Sequence, residues 1–400
     1  MKKSVYIFVL LLLSVNLWNL NFLSSFLTPD IQLALILLWL AFGILVYRKN
    51  HFNAKWERYA RPVLFILLGV FLSFIPARVY YGQGLMTSAI AARKMYILAA
   101  LPCLLYIRPG MKDIKHACYW FSYCYLVVTL LDSLTPWDVT AAKANWGSDP
   151  VSARHAYIEK PDFVHRLDGM EFLGMAFIFS LNDLSHKRDT SRFLNTFALL
   201  AFMFLIQNRT ILLASAIVFV FFILQYKGRK QLLWIGFGLF LAVFIALTWE
   251  QWAGLFQETQ EQLGSDDYNR VAAVTYFVTE ACSSWWCYIL GNGFLSAKAT
   301  SHMQDMMELG IYNSDVGFIG LWNQFGIIPI IVLFYCVFRA LFQKNICFTV
   351  RANALFILAC SATHAYFGLV NTVVWLCLFL YMYAFDDMYL IRKGLKEDKK

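Results

Sequence analysis

The stretch that decides the fold is FLNTFALLAFMFLIQ at residues 193–207, followed by TILLASAIVFVFFILQY at residues 210–226. Only Asn208 and Arg209 separate these two apolar runs. A bilayer core of roughly 30 Å takes about 20 apolar residues per helix, and its lack of water forces a spanning backbone to satisfy its own hydrogen bonds. The stretch therefore predicts two membrane-spanning helices joined by a minimal turn.

The same pattern extends over the whole chain. Of its 400 residues, 60% are hydrophobic, 18% aromatic and only 15% charged, which departs from the composition of soluble domains. We therefore expect an all-α, polytopic integral membrane protein, a single domain over 1–400 with about twelve continuous transmembrane helices. The predicted spans begin near Ser4, Ile31, Pro62, Ser88, His116, Leu167, Phe193, Thr210, Gln231, Asp315, Ala352 and Val373.

The positions of Lys and Arg predict the orientation of these spans, because cationic loops are retained in the cytoplasm. If Met1 is inside, the cytoplasmic segments include 48–61, 108–115, 185–192 and 339–351, and the basic C-terminus is cytoplasmic too. The net charge of +9 is then a consequence of topology. Nucleic-acid binding is disfavoured, because it would need a clustered basic face beside aromatic side chains.

Two polar outer segments, 136–166 and 249–314, are long enough to carry function. In the larger one, helical spacing over 250–263 is broken by Gly264 and Ser265. The residues 265–267 then form the N-cap region of a second predicted helix, which runs through Asn269 and Arg270 to about Trp286. Its aromatic end favours the membrane interface. Cys282 and Cys287 lie in this outer loop, where the compartment is oxidising, and a disulfide between them would need a break in that helix.

Several cations stand at the outer ends of the predicted spans or in the outer loops. They are Arg78, Arg93, Lys94, Arg166, Arg209 and Arg270. Arginine's planar fork binds phosphate oxygens through paired hydrogen bonds and stays charged, so together these residues predict a diphosphate site at the membrane surface. Each one alone is also explained by snorkelling to lipid headgroups or by a local ion pair, such as Arg166 with Asp168.

Four segments carry a resemblance to a known family. They are QNRT at 207–210, Asn269 with Arg270, LGNGF at 290–294, and the run from SDVGFIG at 314–320 to FGII at 325–328. Their order around one large outer loop resembles the O-antigen polymerase and ligase superfamily, over 193–341 in motif and over the whole chain in topology. Members are bacterial inner-membrane glycosyltransferases that act at the periplasmic face on glycans carried by undecaprenyl diphosphate. The resemblance implies that Arg209 and Arg270 engage the donor diphosphate.

Asp315 stands where ligases of that superfamily usually carry a histidine, and several polymerase-like relatives carry Asp in a similar context. This favours polymerase over ligase. A carboxylate at a low-dielectric mouth is a credible general base or hydroxyl orienter, and the alternative role for Asp315 is a helix N-cap. His302 is the other candidate base, with a merely solvated side chain as its alternative. The expected substrate-binding residues are Arg78, Arg93, Arg166, His302 and Asn313.

The expected function is polymerisation of lipid-linked oligosaccharide repeat units of an O-antigen, capsule or exopolysaccharide. Fixed arginines would stabilise the departing diphosphate, so neither a metal nor a cofactor is expected. The expected partners are the lipid-linked glycan, membrane lipids, and the chain-length regulator and flippase of the same pathway. The alternatives are a ligase that transfers glycan to lipid A core, a non-catalytic assembly or sensing protein, and a flippase or other transporter. Transport is disfavoured because it predicts interrupted helices, which the sequence does not clearly contain.

Overall fold

A computed structural model describes residues 1–24, 26–48, 54–134, 139–140, 167–186, 189–206, 208–225, 269–281, 284–296, 300–301, 304, 306, 313–362 and 368–392. These residues form helices and connecting turns, with no β-strand among them, which confirms the all-α prediction. The span predicted from Gln231, the helix expected over 250–263 and most of the segment 136–166 lie outside the described residues.

The helices are numbered in chain order. The first are α1 (Lys3–Ser14), α2 (Pro29–Val46), α3 (Ala54–Tyr81), α4 (Leu85–Ala91), α5 (Ala100–Ile107) and α6 (Met111–Leu134). The middle of the chain forms α7 (Met170–His186), α8 (Thr190–Ile206), α9 (Arg209–Gln225), α10 (Asn269–Thr279) and α11 (Trp285–Leu290). The last are α12 (Gly317–Phe325), α13 (Ile327–Phe342), α14 (Phe348–Cys360) and α15 (Val370–Arg392). One helical turn (Asn21–Ser24) and the 3₁₀ segments Asn16–Asn19, Arg93–Ala99 and Asn313–Val316 lie between them.

Helix α15 forms the centre of the bundle. Its residues 373–384 are buried on every side, and they include the large side chains of Trp375 and Tyr381. The helix packs against α1, α3, α5, α7 and α14. A helix that is apolar all round needs such complete enclosure, either in a large core or in a membrane bundle.

Two described helices are long and apolar enough to cross a membrane, α2 and the 58–81 part of α3, each with a mean hydropathy of 2.1. A third span results if α4 and the helix over 93–107, which are bent by 62°, cross together. Large apolar side chains face outward on both long helices, among them Leu38 and Leu45 on α2 and Leu64 and Val79 on α3. Apolar surface of this extent suits lipid better than water. The described helices thus support membrane association, and the count of twelve spans stays a prediction.

The prediction of continuous spans is wrong at two places. The fourth predicted span breaks at Ala92, where α4 ends and a 3₁₀ segment begins with Arg93 and Lys94. The tenth breaks at Gly326, whose φ of 72° separates α12 from α13. Adjacent cations are costly inside an apolar helix, and a left-handed glycine ends the helical hydrogen-bond ladder.

Some other helices begin or end at residues different from those predicted. Pro62 lies inside α3, because the polar turns before it extend the helix beyond the apolar run. The helix predicted to reach Trp286 ends at Thr279, and α11 starts anew at Trp285. Helix α1 has 12 residues, about 18 Å at 1.5 Å per residue, which is shorter than a bilayer core.

We call the two ends of the bundle the basic end and the loop end. At the basic end, Lys3 Nζ donates to the carbonyl of Arg108 at 2.8 Å, and Lys115 Nζ lies 2.9 Å from the carboxylate of Asp183. At the loop end, α7, α9 and α15 begin, and α3, α8 and α14 finish. The described cations of the basic end include Lys3, Arg58, Arg108, Lys115, Arg192, Arg339 and Arg351. They belong to the segments that the sequence assigns to the cytoplasm.

Candidate functional site

The predicted catalytic residues belong to elements at the loop end. Arg209 is the first residue of α9, Arg270 is the second residue of α10, and Asp315 lies in the 3₁₀ segment Asn313–Val316. The backbone of these three residues is described and their side chains are not. Arg166 and His302 lie outside the described residues. The roles assigned to all five residues therefore stay predictions.

Helix α10 packs directly on the segment that contains Asp315. Ala273 and Phe277 of α10 form a small buried apolar cluster with Met306 and Val316. Ala273 follows Arg270 by one helical turn, and Val316 follows Asp315 directly. The fold therefore places the backbone positions of the predicted arginine and the predicted carboxylate on two elements that touch.

Two of the predicted substrate-binding arginines have partners within the protein. Arg93 Nε lies 2.6 Å from a carboxylate oxygen of Asp30, and its Nη1 donates to the carbonyl of Ile90 at 3.0 Å. Arg78 is exposed, and its Nη1 donates to the carbonyl of Gly82, just past the end of α3, at 3.2 Å. The charge of Arg93 is thus matched by a carboxylate, while the charge of Arg78 stays at the surface.

Two of the glycine motifs interlock through their backbones. The amide of Asn292 donates to the carbonyl of Asn323 at 2.6 Å, and the amide of Gly293 donates to the carbonyl of Gln324 at 2.8 Å. A Cβ at Gly291 would lie 2.4 Å from the amide nitrogen of Gly326. The turn after α11 and the break after α12 therefore form one rigid backbone joint, which the sequence motifs alone did not reveal.

The start of α12 is held by a second close approach. The amide of Phe318 donates to the carbonyl of Ser361 at 2.9 Å, and Gly317 has a φ of 52° where a Cβ would lie 2.2 Å from that carbonyl oxygen. A Cβ at Gly320 would lie 2.0 Å from the carbonyl oxygen of Asn313. The glycines of the SDVGFIG motif thus allow the segment of Asp315 to press against α12 and the end of α14.

Asn313, a predicted substrate-binding residue, lies at the start of this segment. Its side chain is half-buried, and its Oδ1 has no hydrogen-bond partner in the described part of the chain. Oδ1 of Asn292 and Nδ2 of Asn323, at the backbone joint, also have no hydrogen-bond partner in the described part of the chain, and both side chains are buried. Unpaired buried amides are costly, so these three side chains are available for further hydrogen bonds.

A group of charged and polar side chains at the loop end was missed by sequence reasoning. Glu171, in the first turn of α7, is 4% exposed, and its Oε2 accepts a hydrogen bond of 3.1 Å from Nδ2 of Asn371 on α15. Lys94 Nζ donates to the carbonyl of Gly368 at 3.0 Å. Asp168 stands in the turn before α7. The members of this acid–amine cluster, Lys94, Asp168, Glu171 and Asn371, come from distant parts of the sequence.

Asp168 has an exposed side chain on a tightly held turn. Desolvation by the protein packed against the carboxyl raises the pKa of Asp168, and so does the neighbouring Glu171. Lys94 lowers it, and the resulting pKa is about 6. The sequence signal for Asp168 was an acidic pair three residues apart at the outer start of an apolar span, a position where charge is expensive.

Comparison with known proteins adds no family assignment. No protein-family model and no curated protein matches the chain. Within the described residues, no three His, Cys, Asp or Glu side chains are grouped so as to hold a metal ion. The resemblance to the O-antigen polymerase and ligase superfamily therefore rests on the motifs in this sequence alone.

Proposed function

We propose that the protein is a polymerase of lipid-linked oligosaccharide repeat units, acting at the loop end of the bundle. In this proposal the protein has about twelve transmembrane helices, both termini are cytoplasmic, and the loop end faces the periplasm of a bacterial inner membrane. Its partners are the undecaprenyl diphosphate-linked glycan and membrane lipids, with a chain-length regulator and a flippase of the same pathway.

The observation that carries the proposal is the packing of α10 on the segment Asn313–Val316. This contact joins the element of Arg270 to that of Asp315, and α9 begins with Arg209 at the same end. Glycosyl transfer needs those two functions side by side: cations for the leaving diphosphate and a carboxylate for the acceptor hydroxyl.

The proposed reaction is a displacement at the anomeric carbon of the donor. The acceptor hydroxyl oxygen forms the new bond to that carbon, while the bond from the carbon to the diphosphate oxygen breaks and its electron pair stays on the oxygen. Arg209 and Arg270 stabilise the negative charge that develops there. Asp315 orients the hydroxyl or accepts its proton.

The test is polymerisation by purified protein in liposomes, with an undecaprenyl diphosphate-linked repeat unit as substrate and a chelator present. We expect a ladder of products from the wild type and its loss with Arg270→Ala. Arg339→Ala, at the basic end, is the matched control and should keep the ladder. A single product that needs added lipid A core would make the protein a ligase, and the absence of both would overturn the glycosyltransferase proposal.

The two broken spans favour a second candidate, a transporter of lipid-linked glycans. Transporters use discontinuous helices at their substrate sites, and this chain interrupts its helices at Ala92 and Gly326. The same liposomes distinguish the two. Movement of the labelled lipid-linked unit between leaflets without a ladder would support transport, whereas a ladder from an acceptor in the same leaflet supports the polymerase.

A further inference from the structure

Helix α12 folds back on α13 at Gly326. Phe318 stands eight residues before that glycine and Phe334 eight residues after it, yet their ring centroids are only 6.1 Å apart. In one continuous helix, two residues separated by 16 positions would be about 24 Å apart. The start of α12, just after Asp315, therefore lies beside the middle of α13.

From this contact a line of phenylalanine rings runs along α13 to the basic end. Phe334 stacks on Phe338 with ring centroids 5.9 Å apart, and Phe338 stacks on Phe342, the last residue of α13, at 6.2 Å. Phe318, Phe338 and Phe342 are exposed, and Phe334 is half-buried. We call these four residues the aromatic track. It connects the segment of Asp315 to the outer surface of the bundle.

The surface beside the track is apolar as well. Ile331 and Tyr335 of α13 are exposed, so this side of the helix presents large apolar side chains along most of its length. Such a surface suits hydrocarbon better than water. Burial of apolar area gives little preference between one lipid chain and another, because every lipid tail is apolar. A chain is therefore selected here by how well it packs on the rings.

The proposed reaction requires an apolar chain near the start of the track. Helix α10, with Arg270, packs on the segment of Asp315, and the donor diphosphate is assigned to these two elements. A lipid chain attached to that diphosphate has to pass from there into the hydrocarbon of the membrane. Helix α2 is also exposed to lipid, but it packs on α1, α5 and the 3₁₀ segment Arg93–Ala99, whereas the track starts on α12 itself.

We propose that the aromatic track binds the polyprenyl chain of the lipid-linked donor. The inference rests on the proposed glycosyl transfer and adds the place where the lipid lies. Each isoprene unit carries a methyl branch and a planar double bond, which pack against the faces and edges of aromatic rings. The track thereby holds the chain along α13, with the diphosphate at the loop end.

Photo-crosslinking in liposomes tests the site without catalysis. The probe is a polyprenyl diphosphate with a diazirine in its chain, and the reference is a phospholipid with a diazirine in an acyl chain. Mass spectrometry of the illuminated wild-type protein locates the labelled residues. We expect the polyprenyl probe to label residues 318–342 several-fold more strongly, relative to α2, than the phospholipid does. Equal labelling patterns would overturn the proposal, because the track would then be ordinary lipid-facing surface.

A comparison of two donors tests the same contact during turnover. One carries the repeat unit on undecaprenyl diphosphate and the other on geranyl diphosphate, whose short chain reaches less of the track. We expect Phe338→Ala to raise the KM of the long-chain donor ~2–10-fold relative to that of the short-chain donor, since one ring contributes modestly. Phe42→Ala on α2 is the matched control and should leave the ratio unchanged. Phe42 is 44% exposed and stacks on Trp39, and Phe338 is 41% exposed.

The two experiments separate this inference from the proposed function. A wild type that makes no product overturns the glycosyl transfer, and the labelling pattern then still decides whether the track binds the chain. Product formation with the same KM ratio in Phe338→Ala as in the wild type overturns the track and leaves the polymerase intact. If Phe338→Ala fails to fold, Phe338→Leu, which keeps an apolar side chain without a ring, takes its place.

Discussion

Glycine at position 326 is required both by its backbone conformation and by a contact. Its φ is 72°, and an added Cβ would lie 2.1 Å from the carbonyl oxygen of Ile289. Gly82 provides a matched control, because its φ of 67° is similar and nothing lies within 4 Å of the Cβ position. Gly82→Ala should therefore cost only the left-handed penalty, about 1–2 kcal/mol. We expect Gly326→Ala to cost clearly more, measured as the free energy of unfolding in mixed detergent micelles; equal losses would contradict the backbone joint.

Tyr125 holds the turn of Asp168 through a single hydroxyl. Tyr125→Phe leaves the amide and carbonyl of Leu167 without that partner, at a cost of about 1–3 kcal/mol for each buried group left unpaired. Tyr96→Phe is the control, since its half-buried hydroxyl donates only one hydrogen bond, to the carbonyl of Ala89. We expect a larger fall in Tm for the first variant. A smaller or equal fall would show that the turn is held by other contacts.

The sequence motifs predicted which residues matter structurally, such as the motif glycines. They did not predict which other residues these contact. The sequence marked Gly291 and Gly326 as motif glycines, but their mutual contact joins positions separated by a whole helix. The acid–amine cluster was missed for the same reason. Lys94, Glu171 and Asn371 lie far apart in the chain, and one sequence gives no signal that three helices bring them together.

At the scale of elements, apolar length predicted the helices well and their interruptions badly. The helix expected from Ile31 is present as α2, and the pair expected around Asn208 and Arg209 is present as α8 and α9. The break after α4 lies where the sequence already weakens the predicted span, because Arg93 and Lys94 leave an uninterrupted apolar run only from Met95 to Ile107. The break at Gly326 escaped because glycine inside a transmembrane helix is common.

Three elements are clamped together at the basic end by one carboxylate. Asp387 of α15 is fully buried and accepts hydrogen bonds from the hydroxyl of Tyr59 on α3 and, at 2.5 Å, from the side-chain Nε2 of Gln343 after α13. Arg58 lies 3.8 Å away, with a side chain that is half exposed. The clamp therefore depends on neutral donors more than on the ion pair.

The clamp predicts unequal effects of two substitutions. Asp387→Ala leaves two donors without their acceptor, at about 1–3 kcal/mol for each such group, so we expect a marked fall in Tm. Arg58→Ala removes only a partly exposed ion pair, which contributes about 0–1 kcal/mol. Thermal unfolding of both variants in detergent measures the difference. If Arg58→Ala proved the more destabilising, the ion pair and not the hydrogen bonds would be holding α3 to α15.

Over the whole molecule, the charge distribution of the sequence coincides with the two ends of the bundle. Lys3, Arg108 and Lys115 meet at the basic end, as loop positions predicted for one side of the membrane should. Among the residues that the structure describes, the loop end contains fewer cations, and one of them, Arg93, is paired with Asp30. The sequence could give this division because it depends on loop order alone, whereas the depth and tilt of each helix depend on packing.

The division of charges predicts which end of the bundle faces the cytoplasm, and reporter fusions measure this orientation. A phosphatase that is active only outside the cytoplasm should be active when fused after Gly82, at the loop end. A fluorescent protein that folds only in the cytoplasm should be bright when fused after Gly110, at the basic end. An even number of spans returns the chain to its starting side, so the same reporter after Lys400 should also be bright. If the fusions after Gly82 and Gly110 behave as expected but the fusion after Lys400 is dark, the number of spans is odd. If the fusions after Gly82 and Gly110 give the reverse result, the loop end, with Asp168 and Asp315, lies in the cytoplasm.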